Sequence, residues 1–443
     1  MNVTECTSTK LTFSSLKRQE IVANFDGGRL TSDGGALLLR EVDRRLGLTE
    51  ALAACIADPR NPLMVVHDVR TMLVQRVCGI AMGYEDLNDH QTLRDDPLFS
   101  VLAEHRPDPD EPLASPSTLC RFENRITRQS LIRMSEVFVE KFIASHKRPP
   151  KKVALDFDTT DDRVHGQQEE RFFHGYYDHY CFLPLYVFCG DQLLASYLRP
   201  SNIDGAKHSW AILKLMTTRL RQAWPKVKIV FRGDSGFCRW KMLRWCERHD
   251  IGYVVGLARN KVLERLAEPF MEAAECAFNE SGQKQRNFHE ISYAADTWDH
   301  ERRVIVKAEY LIQGPNCRFV VTNLDDQPNV VYDGRYVGRA DMENRIKEQQ
   351  LGLFADRTSC HKFLANQFRL LLASAAYVLI EDLRRVGLAG TELANAQVTT
   401  IRLKLFKVAA RITTSVRRVV LYLSSAYPYQ QLFTRLVARL VPH

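Results

Sequence analysis

The sequence predicts a mixed α/β fold. The prediction rests on the order of its apolar segments between residues 153 and 257, a strand-rich stretch after them, and helical periodicity on either side. VALDFD reads as a first strand, and CFLPLYVF and LLASYLR, parted by CGDQ, as a hairpin. DGAKHSWAILKLMTTRLRQAW is a helix, KIVF a strand, FCRWKMLRWCERHD a second helix and IGYVVGL a further strand. The order β-β-β-α-β-α-β is the ribonuclease H-like topology. Its sheet is mixed, with three antiparallel strands first and later strands arriving by helical crossovers.

The flanks divide by pattern. Residues 1–150 read as a helical region: HDVRTMLVQRVCGIAMG carries Val69, Met72, Leu73, Val77 and Ile80 at helical spacing, with a Gly near its end. SPSTLCRFENRI begins with residues suited to a helix N-terminus and then offers Arg121, Asn124 and Arg125. Such a helix reads a DNA groove or simply packs in a bundle. SHKRPPKK is a basic, proline-bearing linker. The core then runs over 151–258. A β-rich insertion follows at 259–325 (NFHEISYAAD, RRVIVKAEYLI, CRFVVTNL), and helices return over 326–390. Residues 391–443 form a basic helical region, with IRLKLFKVAARI expected as an amphipathic helix.

Composition limits the function. The chain has 443 residues, 61 Lys and Arg against 53 Asp and Glu, and eleven scattered cysteines without CxxC. Neither a disulfide framework nor a cysteine zinc site is expected. No apolar run of ~18 residues suggests a membrane span, and MNVTECTSTKLTFSS lacks a signal pattern, so a cytoplasmic protein is expected. Ten Arg or Lys against Glu392 alone between Leu383 and His443 fit either a solvated helix face or a grip on phosphates.

Against that basic balance, VALDFDTTDD gathers Asp156, Asp158, Asp161 and Asp162 where a strand ends. Alternation puts Asp156 and Asp158 on one strand face, opposite Leu155 and Phe157. KIVF runs into RGDSGF, so Asp234 lies just past a strand end, and the first and fourth strands of this topology are neighbours. RYVGRADMENRIKEQQ supplies a third acid: at about 100° per residue, Tyr336, Arg339, Glu343, Lys347 and Gln350 fall within roughly 80° of arc. Arg339 and Lys347 suit contact with DNA phosphate, or serve as i,i+4 partners of Glu343 at about 0.5 kcal/mol. Asp161 and Asp162 read as a polar turn. His174 and His179, among the aromatics of HGYYDHY, have no ligand spacing, and His67-Asp68 reads as structural.

These segments together resemble the DDE transposases of bacterial insertion sequences, in the branch with a Tyr-x2-Arg-x3-Glu-x6-Lys signature. Tyr336, Arg339 and Glu343 match it, and Gln350 stands where the Lys is expected. The DTT at Asp158, RGDSGF and the ENRIKEQ helix are most similar to insertion-sequence group thirteen-eighty. DGGRLTSDGGALLLRE and SPSTLCRFEN extend the resemblance over nearly the whole chain. It implies a metal-binding triad of Asp158, Asp234 and Glu343, with Asp156 as the rival to Asp158. The implied cofactor is two Mg2+ ions, or Mn2+, acting on a phosphodiester. The implied partners are the double-stranded DNA of element ends and target and a second copy of the chain in a synaptic complex, with the bacterial nucleoid as the place of work. A ribonuclease H-like structure-specific nuclease and a catalytically vestigial DNA-binding protein are the alternatives.

Overall fold

The computed structural model describes residues 10–441, which divide into two compact units. One comprises residues 10–53, Asp58–Phe122 and 382–441, the other Ala54–Ala57 and Glu123–Glu381.

The second unit is built on one mixed sheet. Its strands are β1 (Lys152–Thr159), β2 (Leu185–Cys189), β3 (Gln192–Tyr197), β4 (Lys228–Gly233), β5 (Ile251–Leu257), β6 (Gln285–Tyr293), β7 (Arg302–Leu311) and β8 (Arg318–Thr322). They lie in the order β6-β7-β8-β5-β4-β1-β2-β3, with the two-residue strand Gly314–Pro315 beside β7. β1, β4 and β5 are parallel, and every other neighbour pair named here is antiparallel. The antiparallel run of β1, β2 and β3 and the pairing of β1 with β4 are as read from the sequence. The strands of residues 285–322 do not fold apart from it. They pair onto β5 and extend the same sheet, and a 21-residue helix, Lys261–Ser281, precedes them. β1 packs Val153, Leu155 and Phe157 into a core shared with Ile229 and Phe231 of β4 and with helices Arg128–Ala144, Ser209–Ala223 and Trp240–Arg248. The helix Arg128–Ala144 therefore belongs with the sheet, and the change of unit falls at 122/123 rather than at the basic linker near 150.

The other sheet face has its own apolar cluster of Val230, Val254, Ile305, Val320, Val331 and Tyr332. It is covered partly by the segment 330–352. That segment is not one regular helix: α-helical geometry holds over Ala340–Lys347, between π-helical turns at Val330–Tyr336 and Glu348–Gly352. A helical stretch, Phe363–Gly387, is long and apolar enough to cross a membrane, contrary to the sequence expectation. Most of it is buried inside the protein, where Phe188 meets Tyr377 and Ser196 bonds Ser374. That burial accounts for its composition.

The first unit draws on both ends of the chain. Leu30–Thr31 pairs with Ala410–Thr414, which pairs in turn with Val419–Leu423. An exposed hairpin, Leu11–Leu16 with Gln19–Ala23, adds further strands to a region read as mostly helical. The amphipathic helix expected over IRLKLFKVAARI stops at Phe406. From Ala410 the burial alternates in and out, with Ala410 and Ile412 inside and Arg411 and Thr413 outside, which is the period of a strand. Several basic residues of this region are committed internally. The Arg402 guanidinium donates to the carbonyls of Ala81 (2.8 Å) and Ile80 (3.3 Å), satisfying the end of helix Val69–Met82. Lys407 pairs with Asp33 at 2.6 Å, and Arg439 donates to Ala389 O at 2.8 Å.

His90 is fully buried in this unit and accepts from Arg76 Nη1 at 3.1 Å. Gly79 leaves room for the ring, since a Cβ there would meet it at 3.1 Å. Burial, with Arg76 beside it, pushes the imidazole down to about 3. Folding therefore favours the neutral ring. Its stabilisation is complete above the unfolded value near 6.5 and is lost as pH falls toward 3, at about 1.4 kcal/mol per pH unit. Urea unfolding followed across that window should show this acid limb, and His90→Gln should flatten it.

Candidate active site

In the parallel pair β1–β4, Asp156 lies opposite Arg232 and Phe157 opposite Gly233. One residue further on, Asp158 and Asp234 therefore stand at neighbouring strand ends. The Asp158 carboxylate accepts the Thr159 N–H at 2.9 Å, and Asp234 accepts the Gly236 N–H at 2.9 Å, capping the turn Ser235–Phe237. Glu343 comes from the helix Ala340–Lys347 and is half exposed. Arg339 links the elements: its guanidinium lies 3.1 Å from Asp158 Oδ2 and 3.7 Å from Glu343 Oε1. Burial raises the Asp158 carboxyl to about 6; Arg339 opposes the shift, whereas the charges of Asp234 and Glu343 add to it. Among the described residues no three His, Cys, Asp or Glu side chains are gathered tightly enough to hold a metal ion as they stand. Arg339 supplies the positive charge there.

Asp156 has a different task. It is 2% exposed and bound by Arg232 through two hydrogen bonds, 2.5 and 2.6 Å, while Arg232 Nη1 donates to Arg335 O at 2.7 Å. Its oxygens are occupied by a fixed fork that ties β1, β4 and the 330s turn together. Asp162 is not part of a solvated turn. It is fully buried in a short strand, accepts from Gln350 Nε2 at 3.0 Å, and burial holds its carboxyl well above the usual range. Gln350 also donates to Asp161 O at 3.1 Å. The residue in the place of the signature Lys therefore fastens the Glu343 segment to the chain just after Asp158.

Tyr336 is half-buried beside Asp234, with its hydroxyl against Gly256 of β5. A Cβ on Gly256 would fall 2.7 Å from that oxygen and 2.8 Å from Ser235 N. Lys347 is exposed, and Glu343 pairs with Arg339. Arg121, exposed, and Asn124 lie in the last turn of the helix Pro116–Asn124, with Arg125 just beyond it, not at a helix start as the sequence suggested. The helix ends there because Thr127 caps the next one, accepting the Ser130 N–H at 3.2 Å.

Sequence reading missed Arg232, Gly256 and Arg199. Arg232 was visible through alternation, since it shares the sheet face of Asp156. Glycine inside IGYVVGL signals a close backbone approach. Arg199, fully buried, donates to Thr159 Oγ1 at 2.9 Å and to the carbonyls of Leu183, Gly205 and Lys207, steadying the chain after Asp158.

The structural and acidic roles separate by stability. Asp156→Ala leaves Arg232 buried without its partner and should destabilise the protein by about 3–5 kcal/mol. Asp158→Ala removes a half-buried charge from a repulsive group and should leave the unfolding midpoint unchanged or raised. Chemical denaturation of both variants checks this. Gly256→Ala should displace Tyr336 or the Asp234 turn and lower activity more than stability.

The sequence matches the model of the family described as transposase DDE domain group 1 over residues 13–443. No curated protein matches it. Among solved structures it is similar to a piggyBac transposase synaptic complex with hairpin DNA, determined by cryo-EM. The TM-score is 0.40 at 11% identity, covering 94% of this chain and 86% of that one. With nearly its full length matched, the chain belongs to the transposase DDE domain group 1 family.

Proposed function

We propose that this protein is the transposase of a bacterial insertion sequence in the group thirteen-eighty branch. In this reading it binds the terminal inverted repeats, cleaves the strands and joins 3′ ends to target DNA. The observation that carries the proposal is the meeting of Asp158 and Asp234 at neighbouring parallel strand ends, with Glu343 joined to them through Arg339. The sheet order supports a ribonuclease H-like core.

The donor set fits divalent Mg2+ or Mn2+. Three carboxylates are hard oxygen ligands, and their mutual repulsion, felt at Asp158, is relieved by positive charge. When bound, such ions activate the attacking water or 3′-hydroxyl and stabilise the leaving oxygen. The chain itself supplies orientation. Asp156–Arg232 fixes the two strands, Gln350–Asp162 fixes the Glu343 segment, and Tyr336 packs beside Asp234. In this reading bound metal would take over the counter-charge that Arg339 supplies, and Arg339, like exposed Lys347, would meet a DNA phosphate. Base reading is assigned to Arg121, Asn124 and Arg125. Phosphate grip falls to the exposed Arg411, Arg417, Arg418 and Arg435 of the C-terminal region. A homodimer on paired DNA ends, in the bacterial cytoplasm, completes the proposal.

Cleavage of element-end DNA should require Mg2+ or Mn2+. Asp158→Ala, Asp234→Ala and Glu343→Ala should each abolish it while leaving DNA binding intact; full activity in any one of them removes that residue from the site. Arg339→Ala takes away the internal counter-charge. Mn2+ binding to DNA-free protein, followed by electron paramagnetic resonance, should tighten by about tenfold, worth ~1.4 kcal/mol. Unchanged or weaker binding would make Arg339 only a structural brace. Lys347→Ala should lower the salt slope of DNA binding by about 0.9.

A further inference from the structure

Between β1 and β2 the chain makes a small antiparallel sheet in the order Asp162–Arg163, His179–Phe182, Phe172–His174. So few residues cannot hold a sheet alone. The sheet is fastened by Gln350 on Asp162, by the bond between His179 Nε2 and Asp161 Oδ2 (2.8 Å), and by Ser201 Oγ on Phe172 O (2.8 Å). Its register sets Phe173 opposite Tyr180 and Phe172 opposite Cys181. Cys181 is fully buried, while Phe172 beside it stays 36% exposed at the sheet edge; the Phe173–Tyr180 pair lies on the opposite face and points to water.

That outer face is aromatic. Phe173 is 53% exposed and Tyr180 45%, with ring centroids 5.8 Å apart at 75°, and the Arg171 guanidinium lies 4.6 Å from the Tyr180 centroid. Tyr176, at the turn, is 85% exposed. Its neighbour Tyr177 lies between His174 and His179, with ring centroids 5.0 and 6.1 Å away and planes tilted by 45° and 34°. Since His179 binds Asp161, three residues after Asp158, the hairpin is tied to the chain as it leaves the acidic site.

Exposed rings on a fastened sheet call for a partner. At roughly 150–250 Å² per aromatic side chain, the exposed fractions come to a few hundred Å². That is short of the ~800 Å² per partner in a standard protein interface, and it suits separate planar groups. In duplex DNA the base faces are covered by one another and only the edges are offered. Rings can stack only on bases outside the duplex, and strand cleavage beside Asp158 is where such bases arise.

We propose that Phe173, Tyr176, Tyr180 and Arg171 form a stacking surface for unpaired nucleobases of the DNA strand held at Asp158. The proposal rests on the transposase reading above and adds a contact on the single-stranded part of its substrate.

Fluorescence anisotropy of a fluorescein-labelled oligothymidine strand, and of a duplex of equal length, tests it on the full chain with chelator present. Phe173→Ala, Tyr176→Ala and Tyr180→Ala should each weaken single-strand binding by about 5- to 100-fold, as for loss of one base stack. Duplex affinity should stay within about twofold. Phe173→Tyr, Tyr176→Phe and Tyr180→Phe keep the ring and should keep the affinity. The proposal is overturned if the parent protein does not hold oligothymidine, or if the alanine variants bind it as the parent does. Equal loss of duplex and single-strand binding with a lowered melting temperature overturns it in favour of a structural role. Loss of self-association by light scattering with strand binding intact assigns the face to a second copy. Strand binding by a parent protein that lacks metal-dependent cleavage would sink the transposase reading while leaving the surface in place.

Discussion

Carboxylates brought together in a partly dry place repel one another, and much of the second unit answers that constraint. Asp158 feels both Asp234 and Glu343, and burial adds to the cost of its charge. A fold that must hold these groups near each other needs compensating cations that do not wander. Arg232 and Arg339 have that role on the same sheet face, but with opposite commitments. Arg232 is locked by two bonds to Asp156 and one to a backbone carbonyl. Arg339 is held by single longer contacts to Asp158 and Glu343. The first is a brace; the second, under the proposed function, is exchangeable, because it sits on the oxygens that would hold metal.

The same logic explains why the polar network around the acids is rich in arginine and glutamine rather than water-facing lysine. Buried cations must be satisfied by several acceptors at fixed angles, and the planar guanidinium does this best. Arg199 is the extreme case, wholly buried and bound to three carbonyls and a hydroxyl, without a carboxylate partner in reach of its hydrogen bonds. Burial lowers it only to about 10, so it stays charged near neutrality. Gln350 likewise serves two acceptors with one amide group, where a lysine would place a full charge against Asp162.

Local pattern carried much of this architecture. Alternation in VALDFD set Asp156 and Asp158 on one face and Leu155 and Phe157 in the core, as the packing has it. The order of elements along the chain through β5 was also legible, because each element has its own period and breaks. Long-range pairing was not. Nothing near Asp156 names Arg232 as its partner, since that depends on register between strands 76 residues apart. The extension of the sheet by β6–β8 and the pairing of Leu30–Thr31 with Ala410–Thr414 are invisible for the same reason. The helical reading of IRLKLFKVAARI failed where a 3.6-residue period gives way to a two-residue one within a single run. The stretch 363–387 was legible as a helix but not as one of membrane-spanning length, because polar residues, Gln367 and Ser374 among them, interrupt its apolar run; the core satisfies them.

The pairing of Leu30–Thr31 with Ala410–Thr414 also sets a timetable for synthesis. The early strand leaves the ribosome with its partner still about 380 residues away, which at 5–20 residues per second is roughly 20–80 s. During that interval its edge is unpaired and Thr31, buried in the finished fold, is bare. The acid-bearing sheet, contained within residues 152–322, can close well before the first unit has its last strands. A chain cut short before residue 410 would therefore carry the complete sheet together with an unfinished first unit, a combination open to proteolysis and misplaced strand pairing.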